Sequence, residues 1–173
     1  KIYQEKLGWP KDTLMRFHLF LNIEDELKKM DYLFFFNANY TFIKSITENE
    51  LLPTEKDHFL TGQLHPVAYH KKRKNYDYEV NPKSTACITE SAGTYYFAGG
   101  LLGGRTTEFL KLCHQLKENI DIDFTNDIVA VWHDELVVHL VATKWQTEAR
   151  RHGTRGGGFV PRWLVRCSNN QIA

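Results

Sequence analysis

Asp31-Tyr32-Leu33-Phe34-Phe35-Phe36-Asn37-Ala38-Asn39 is the stretch that decides the fold. Its apolar and aromatic residues do not alternate with polar ones, so both faces of the strand they form are expected to be covered, as in a parallel α/β sheet. The run stops at an Asn-Ala-Asn step, which feeds a polar loop. Just before it, Leu14, Phe17, Leu21 and Leu27 recur near helical spacing, with Asp12 as N-cap and Lys28-Lys29 at the far end. That spacing predicts one helix of about five turns. Helix followed by buried strand predicts an α/β fold with a mostly parallel sheet. In such sheets ligands bind beyond the carboxyl ends of the strands, which is where Asn37 and Asn39 lie.

Working outward, Gly62 to Tyr69 reads as a short strand leading into a basic loop, His70 to Lys74. Thr94 to Leu102 is apolar, aromatic and interrupted by paired glycines, and Thr106 to Lys117 has helical periodicity in Phe109, Leu110, Cys113 and Leu116. The pattern predicts a strand, a glycine turn and a helix. Asp127 to Trp132 is a further buried strand that delivers His133-Asp134-Glu135. Arg150 to Gly158 is Gly/Arg-rich with no period, and the sequence contains no internal repeat.

With 42% hydrophobic and 13% aromatic residues among 173, there is enough apolar material for the core of one ordinary domain. The formal net charge of +1 gives no whole-chain argument for nucleic acid. Charge is uneven, however: residues 144–173 hold six Lys/Arg against the single acid Glu148, so a mildly acidic body joins a basic tail. Three cysteines with no C-x-x-C spacing argue against a zinc site and a disulfide framework, and favour a reducing compartment. No apolar run approaches the roughly 20 residues of a membrane span, and the first residues do not have the shape of a signal peptide. Because the chain starts at Lys1 rather than at methionine, loss of the natural amino terminus is expected.

Several clusters have the chemistry of a binding site. Asn37 and Asn39 each offer an amide that donates and accepts, suited to sugar hydroxyls or diphosphate oxygens, whereas aspartates there would hold a divalent cation. Asparagine is also favoured in turns for its own backbone conformation. Gly99-Gly100-Leu101-Leu102-Gly103-Gly104 permits close approach of a ligand to the backbone, and a tight turn or bulge explains it as well. In Trp132-His133-Asp134-Glu135 an indole can stack on a sugar face while carboxylates bind hydroxyls or stabilise a cationic transition state; the alternative is a solvated strand end. His65 is either a substrate donor or a satisfied buried imidazole. Lys71-Lys72-Arg73-Lys74 beside Tyr76 and Tyr78 reads as a loop that binds phosphate or nucleic acid, or as a simply solvated one, and His18, with no partner at ligand spacing in its helix, as structural.

Taken in order, Phe35-Phe36-Asn37-Ala38-Asn39, Leu64-His65-Pro66, Tyr78-Glu79, Tyr95 to Gly104 and Ala130-Val131-Trp132-His133-Asp134-Glu135 resemble glycosyltransferase family six, which contains the ABO blood-group transferases and α1,3-galactosyltransferases. The resemblance spans roughly residues 5 to 135. It implies an A-type glycosyltransferase fold, Rossmann-like with a mostly parallel central sheet flanked by helices, whose amino-terminal strands and carboxyl-terminal part are absent. Residues 1–143 would be a partial catalytic domain and 144–173 a basic tail of separate character. Asn37-x-Asn39 stands where the animal enzymes have a manganese-binding Asp-x-Asp, and resembles the bacterial and phage branch that works without metal, so no cofactor and no divalent metal are expected.

By the same resemblance, Arg16, Asn37, Ala38, Asn39, Ala98, Gly99, Gly100 and Asp134 would contact the donor. His65, Trp132 and His133 would contact the acceptor, and Glu135 would be the essential carboxylate of a retaining transfer. Small residues at 98 and 100 imply UDP-GalNAc, then UDP-Gal, as donor, and a β-galactoside, fucosylated or not, as the oligosaccharide acceptor. The implied setting is surface-glycan assembly in the cytoplasm, peripheral to the inner membrane. Val67-Ala68 after His65-Pro66, and Val80-Asn81 after Tyr78-Glu79, depart from the usual family residues and imply a different acceptor preference. A non-catalytic, carbohydrate-binding remnant is the competing class. Nucleic acid is not an expected partner, since no aromatics interleave the basic tail at stacking density.

Overall fold

The computed structural model describes residues 2–43, 45–55, 59–65, 72–88 and 96–130, with the backbone of 165–167. Three short helices, α1 (Lys11–Leu14), α2 (Arg16–Leu21) and α3 (Glu24–Leu27), precede β1 (Tyr32–Phe36) and β2 (Tyr40–Phe42). Then come α4 (Glu48–Leu51), β3 (Leu60–Leu64), a 3-10 turn at Arg73–Asn75, β4 (Phe97–Arg105), the long α5 (Thr106–Thr125) and β5 (Val165–Cys167). A three-stranded sheet has the order β1-β4-β3, and β2 pairs separately with β5.

The expected five-turn helix is instead three pieces. At the first interruption the Arg16 side chain bonds the Thr13 carbonyl, Nε donating at 2.6 Å. Asp12 is not the N-cap: it lies inside α1, and its Oδ1 accepts the Leu7 N–H at 2.7 Å.

The described strands do not form the expected parallel sheet. Among the described residues every strand pair is antiparallel, Phe36 facing Leu101 and Tyr32 facing Arg105 across β1 and β4. An unalternating apolar run reports burial on two faces, and all five residues of β1 are half-buried. It does not report strand direction, which is set by the partner, and here the partner is a segment some 65 residues later running the other way.

The glycines form no turn before the helix. β4 runs straight through them for nine residues and passes into α5 without a loop. Gly104, at φ +153°, allows this: a β-carbon there would meet the Phe59 carbonyl and come within 2.9 Å of the Leu60 Cα. Thr106 then fastens the start of α5, its N–H to the Asp31 carbonyl at 2.9 Å and its hydroxyl to Met30.

Helix α5 runs well past the expected Lys117. It buries Phe109, Leu112, Cys113, Leu116 and Ile120 against Leu14, Phe17 and Leu102, with Phe20, Leu33 and Phe35 at the margin. These positions recur every three or four residues, the stripe of a helix lying on a sheet. Asp127, at φ +56°, ends it: the Asp127 N–H reaches the Phe124 carbonyl and the Ile128 N–H the Asp123 carbonyl at 2.8 Å, the paired bonds of a left-handed helix cap. The strand expected from Asp127 therefore does not begin there, and residues 128–130 belong to no strand. No helix of the described residues is long and apolar enough to cross a membrane.

Candidate functional site

Where β1 ends, the chain makes a tight turn over Asn37, Ala38 and Asn39. The Asn37 N–H extends the β1-β4 ladder by one bond to the Gly100 carbonyl at 2.9 Å, and the Tyr40 N–H closes the turn on the Asn37 carbonyl at 2.9 Å. Asn37 is half-buried; Ala38 and Asn39 are exposed. The turn thus presents polar groups to solvent at the carboxyl end of β1, where the sequence placed them.

Opposite the turn, β4 departs from β3. Gly62 faces Leu102 and the next residue, Gln63, faces Ala98, so Gly99, Gly100 and Leu101 have no β3 partner. Paired glycines at 99 and 100 mark a bulge, one of the two readings their sequence allowed. Arg16 is drawn to the same point. Only 8% exposed, it donates through Nη1 to the Gly99 carbonyl at 2.9 Å and lies over the Phe35 ring at 4.5 Å. The fold thereby joins Arg16, Asn37, Gly99 and Gly100 by direct contact, with Ala98, buried, beside them in β4.

His65 lies at the other end of the β3-β4 pairing. Its N–H bonds the Tyr96 carbonyl at 2.8 Å, and its ring meets Tyr96 edge-on at 5.5 Å. Tyr76 and Tyr78 stack around Tyr96 with centroids 5.5 and 5.6 Å away, so His65 stands against a tier of three tyrosines. Trp132, His133, Asp134 and Glu135, together with Lys71, lie outside the described residues. Lys72 and Lys74 of the basic loop are exposed.

Sequence reasoning missed three polar anchors. The Tyr40 hydroxyl donates to Gln63 Oε1 at 2.9 Å; the signal was Tyr40's place directly after the Asn-x-Asn turn. Asp123, 5% exposed, accepts from the Ser84 hydroxyl at 2.6 Å and the Thr85 N–H at 2.7 Å, tying the 81–88 loop to α5. Glu79, also 5% exposed, accepts the Asn81 N–H at 2.8 Å. A carboxylate in a helix that otherwise reads as amphipathic gives no warning that it is buried.

Away from the site, histidine–carboxylate pairs link the first helices to α5. His18 meets Asp121 at 2.7 Å, consistent with a structural histidine, and His114 meets Glu24 at 3.1 Å. Burial pushes the Asp121 carboxyl up, but hydrogen bonds from Lys117 and His18 outweigh it and hold the group below its ordinary value. Hydrogen bonds from Lys28 and His114 lower Glu24. Burial pushes the Cys113 thiol up to about 12, which makes it a core residue rather than a nucleophile.

Residues 4–146 match the model of glycosyltransferase family 6. The chain belongs to that family. It is 30% identical over 131 residues to the O-antigen biosynthesis glycosyltransferase WbnI of Escherichia coli, covering 76% of this chain and 54% of that enzyme. It is 44% identical over 79 residues to histo-blood group ABO system transferase 1 of Rattus norvegicus, covering 44% of this chain and 22% of that protein. Human globoside alpha-1,3-N-acetylgalactosaminyltransferase 1 is 32% identical over 122 residues, 68% of this chain and 33% of that enzyme. The chain spans about half the length of the bacterial relative and less of the mammalian ones. The match of this family 6 chain encloses the Asn37 turn, the β4 glycines and Trp132 to Glu135 alike.

Proposed function

We propose that the chain is the donor-site part of a retaining α1,3-glycosyltransferase that moves GalNAc, or Gal, from its UDP conjugate to a β-galactoside acceptor. The observation that carries this reading is the convergence of Arg16 and the Asn37 turn on the Gly99-Gly100 bulge, within a family 6 chain. The Asn37 and Asn39 amides donate to diphosphate or sugar oxygens, and Arg16 holds the bulge while adding positive charge behind it. With amides instead of carboxylates in the turn, the donor is held without a divalent ion. The relative named for N-acetylgalactosaminyl transfer supports UDP-GalNAc as the first choice.

The acceptor lies against His65, Trp132 and His133, while Asp134 contacts the donor sugar. Glu135 supplies an ionised carboxylate at the anomeric carbon. As UDP leaves, that carboxylate either bonds the carbon, to be displaced in turn by the acceptor hydroxyl, or balances its developing positive charge while that hydroxyl attacks; the hydroxyl proton passes to the departing diphosphate and configuration is kept. The test is a transfer assay on the full-length protein with UDP-GalNAc, UDP-Gal and a panel of fucosylated and plain β-galactosides. Product with an α1,3 linkage supports the reading; no transfer from either donor to any of them refutes it.

A further inference from the structure

The sheet order β1-β4-β3 places β4 between the turn that follows β1 and the residue Gln63 on β3. Tyr40 nevertheless bonds Gln63 through its hydroxyl, so its ring reaches over β4. It crosses at Gly100. A β-carbon on Gly100 would stand 2.7 Å from the Tyr40 Cζ and 2.8 Å from the Asn37 Nδ2, with the Tyr40 hydroxyl nearer still. The positive-φ glycines described are Gly8 and Gly104, so backbone conformation does not demand glycine at 100. What demands it is the pair of side chains lying on its Cα.

We propose that Tyr40 is the positioning residue of the Asn37–Asn39 turn, and that the space it and Asn37 occupy, rather than the donor sugar directly, fixes position 100 as glycine. Gln63 is only 8% exposed, so its amide is a fixed post for the Tyr40 hydroxyl, and the Asn37 amide lies with the Tyr40 ring over the same Gly100. A larger residue at 100 therefore acts on the donor through the turn. The atoms that must yield are side-chain ends, so the fold survives such a change while the turn shifts.

Two measurements decide this, the second resting on the proposed donor site and the first independent of it. In a melting cycle, Gly100→Ala is expected to lower Tm by about 4 °C in the parent. In the Tyr40→Ala background the same change is expected to lower Tm by clearly less, because only the Asn37 Nδ2 at 2.8 Å then stands in the way of the new β-carbon. An equal loss in both backgrounds overturns the proposal. In donor titration, Tyr40→Phe, which keeps the ring and loses only the hydroxyl, weakens UDP-GalNAc and UDP-Gal alike by about tenfold and leaves the acceptor KM unmoved. Gly100→Ala likewise weakens both donors equally; a loss confined to UDP-GalNAc would mean that position 100 contacts the N-acetyl group directly, and would overturn the inference. If the parent binds neither donor, the proposed function fails, and the melting cycle still decides whether Tyr40 dictates glycine at 100.

Discussion

Replacing Arg16 by methionine isolates the contact that ties the first helices to the candidate site. Methionine keeps most of the side-chain volume and a high helix propensity, so what is lost is polar. The Gly99 carbonyl, now bonded at 2.9 Å in a buried setting, is left without its donor, at about 1–3 kcal/mol. The guanidinium over the Phe35 ring at 4.5 Å contributes about 0.5–2 kcal/mol more. The Thr13 carbonyl, only part-buried, can turn to water and adds little. The expected cost is about 3 kcal/mol, which for a chain of this length lowers Tm by about 9 °C. Calorimetric melting of parent, Arg16→Met and Arg16→Lys measures it, the lysine variant falling between the other two because it keeps charge but not the two-pronged geometry. A Tm for Arg16→Met within about 2 °C of the parent would refute the claim that Arg16 holds the bulge.

Other outcomes follow from the same geometry. Asp123→Ala strands the Ser84 hydroxyl and the Thr85 N–H and is expected to cost about 2–4 kcal/mol in urea unfolding. Glu24 and Asp121 are held below their ordinary values of 4.5 and 3.8, so each contributes stability that is complete above those values and fades as pH falls through the lowered folded-state values. Acid titration of stability should show this loss below about pH 4.5 and a smaller one in Glu24→Gln with Asp121→Asn. Glu135→Gln is expected to abolish transfer by the full-length protein while donor affinity stays within about threefold, since the amide keeps shape and loses charge. Unchanged turnover in that variant would remove Glu135 from the mechanism.

Much of the site was legible because its residues advertise themselves locally. Asn37 and Asn39 end an apolar run, and the paired glycines interrupt another; both features mark a turn or bulge by composition alone. The strand β1 was legible from its unbroken apolar run and the helix α5 from its helical period. Strand direction was not, because the pairing of Phe36 with Leu101 is a long-range choice that neither segment encodes by itself. The split of the first helix was hidden as well; at the break Arg16 bonds the Thr13 carbonyl and reaches Gly99, the latter a contact across more than 80 residues of chain. The role of Gly100 was only half legible. Glycine announced a close approach, but that the approaching group is Tyr40 emerges only when β1, β4 and β3 lie side by side.

The central claim is that the Asn37 turn and the Gly99-Gly100 bulge form a UDP-sugar site that needs no metal. Calorimetric titration of UDP-GalNAc and UDP-Gal into the chain and into the full-length protein, both in EDTA, tests it most directly. The account predicts saturable binding of at least one donor by the full-length protein, weakened by Arg16→Met and Asn37→Ala. No binding of either donor in EDTA, with binding restored by manganese, would contradict the metal-free site; no binding under either condition would contradict the donor site itself.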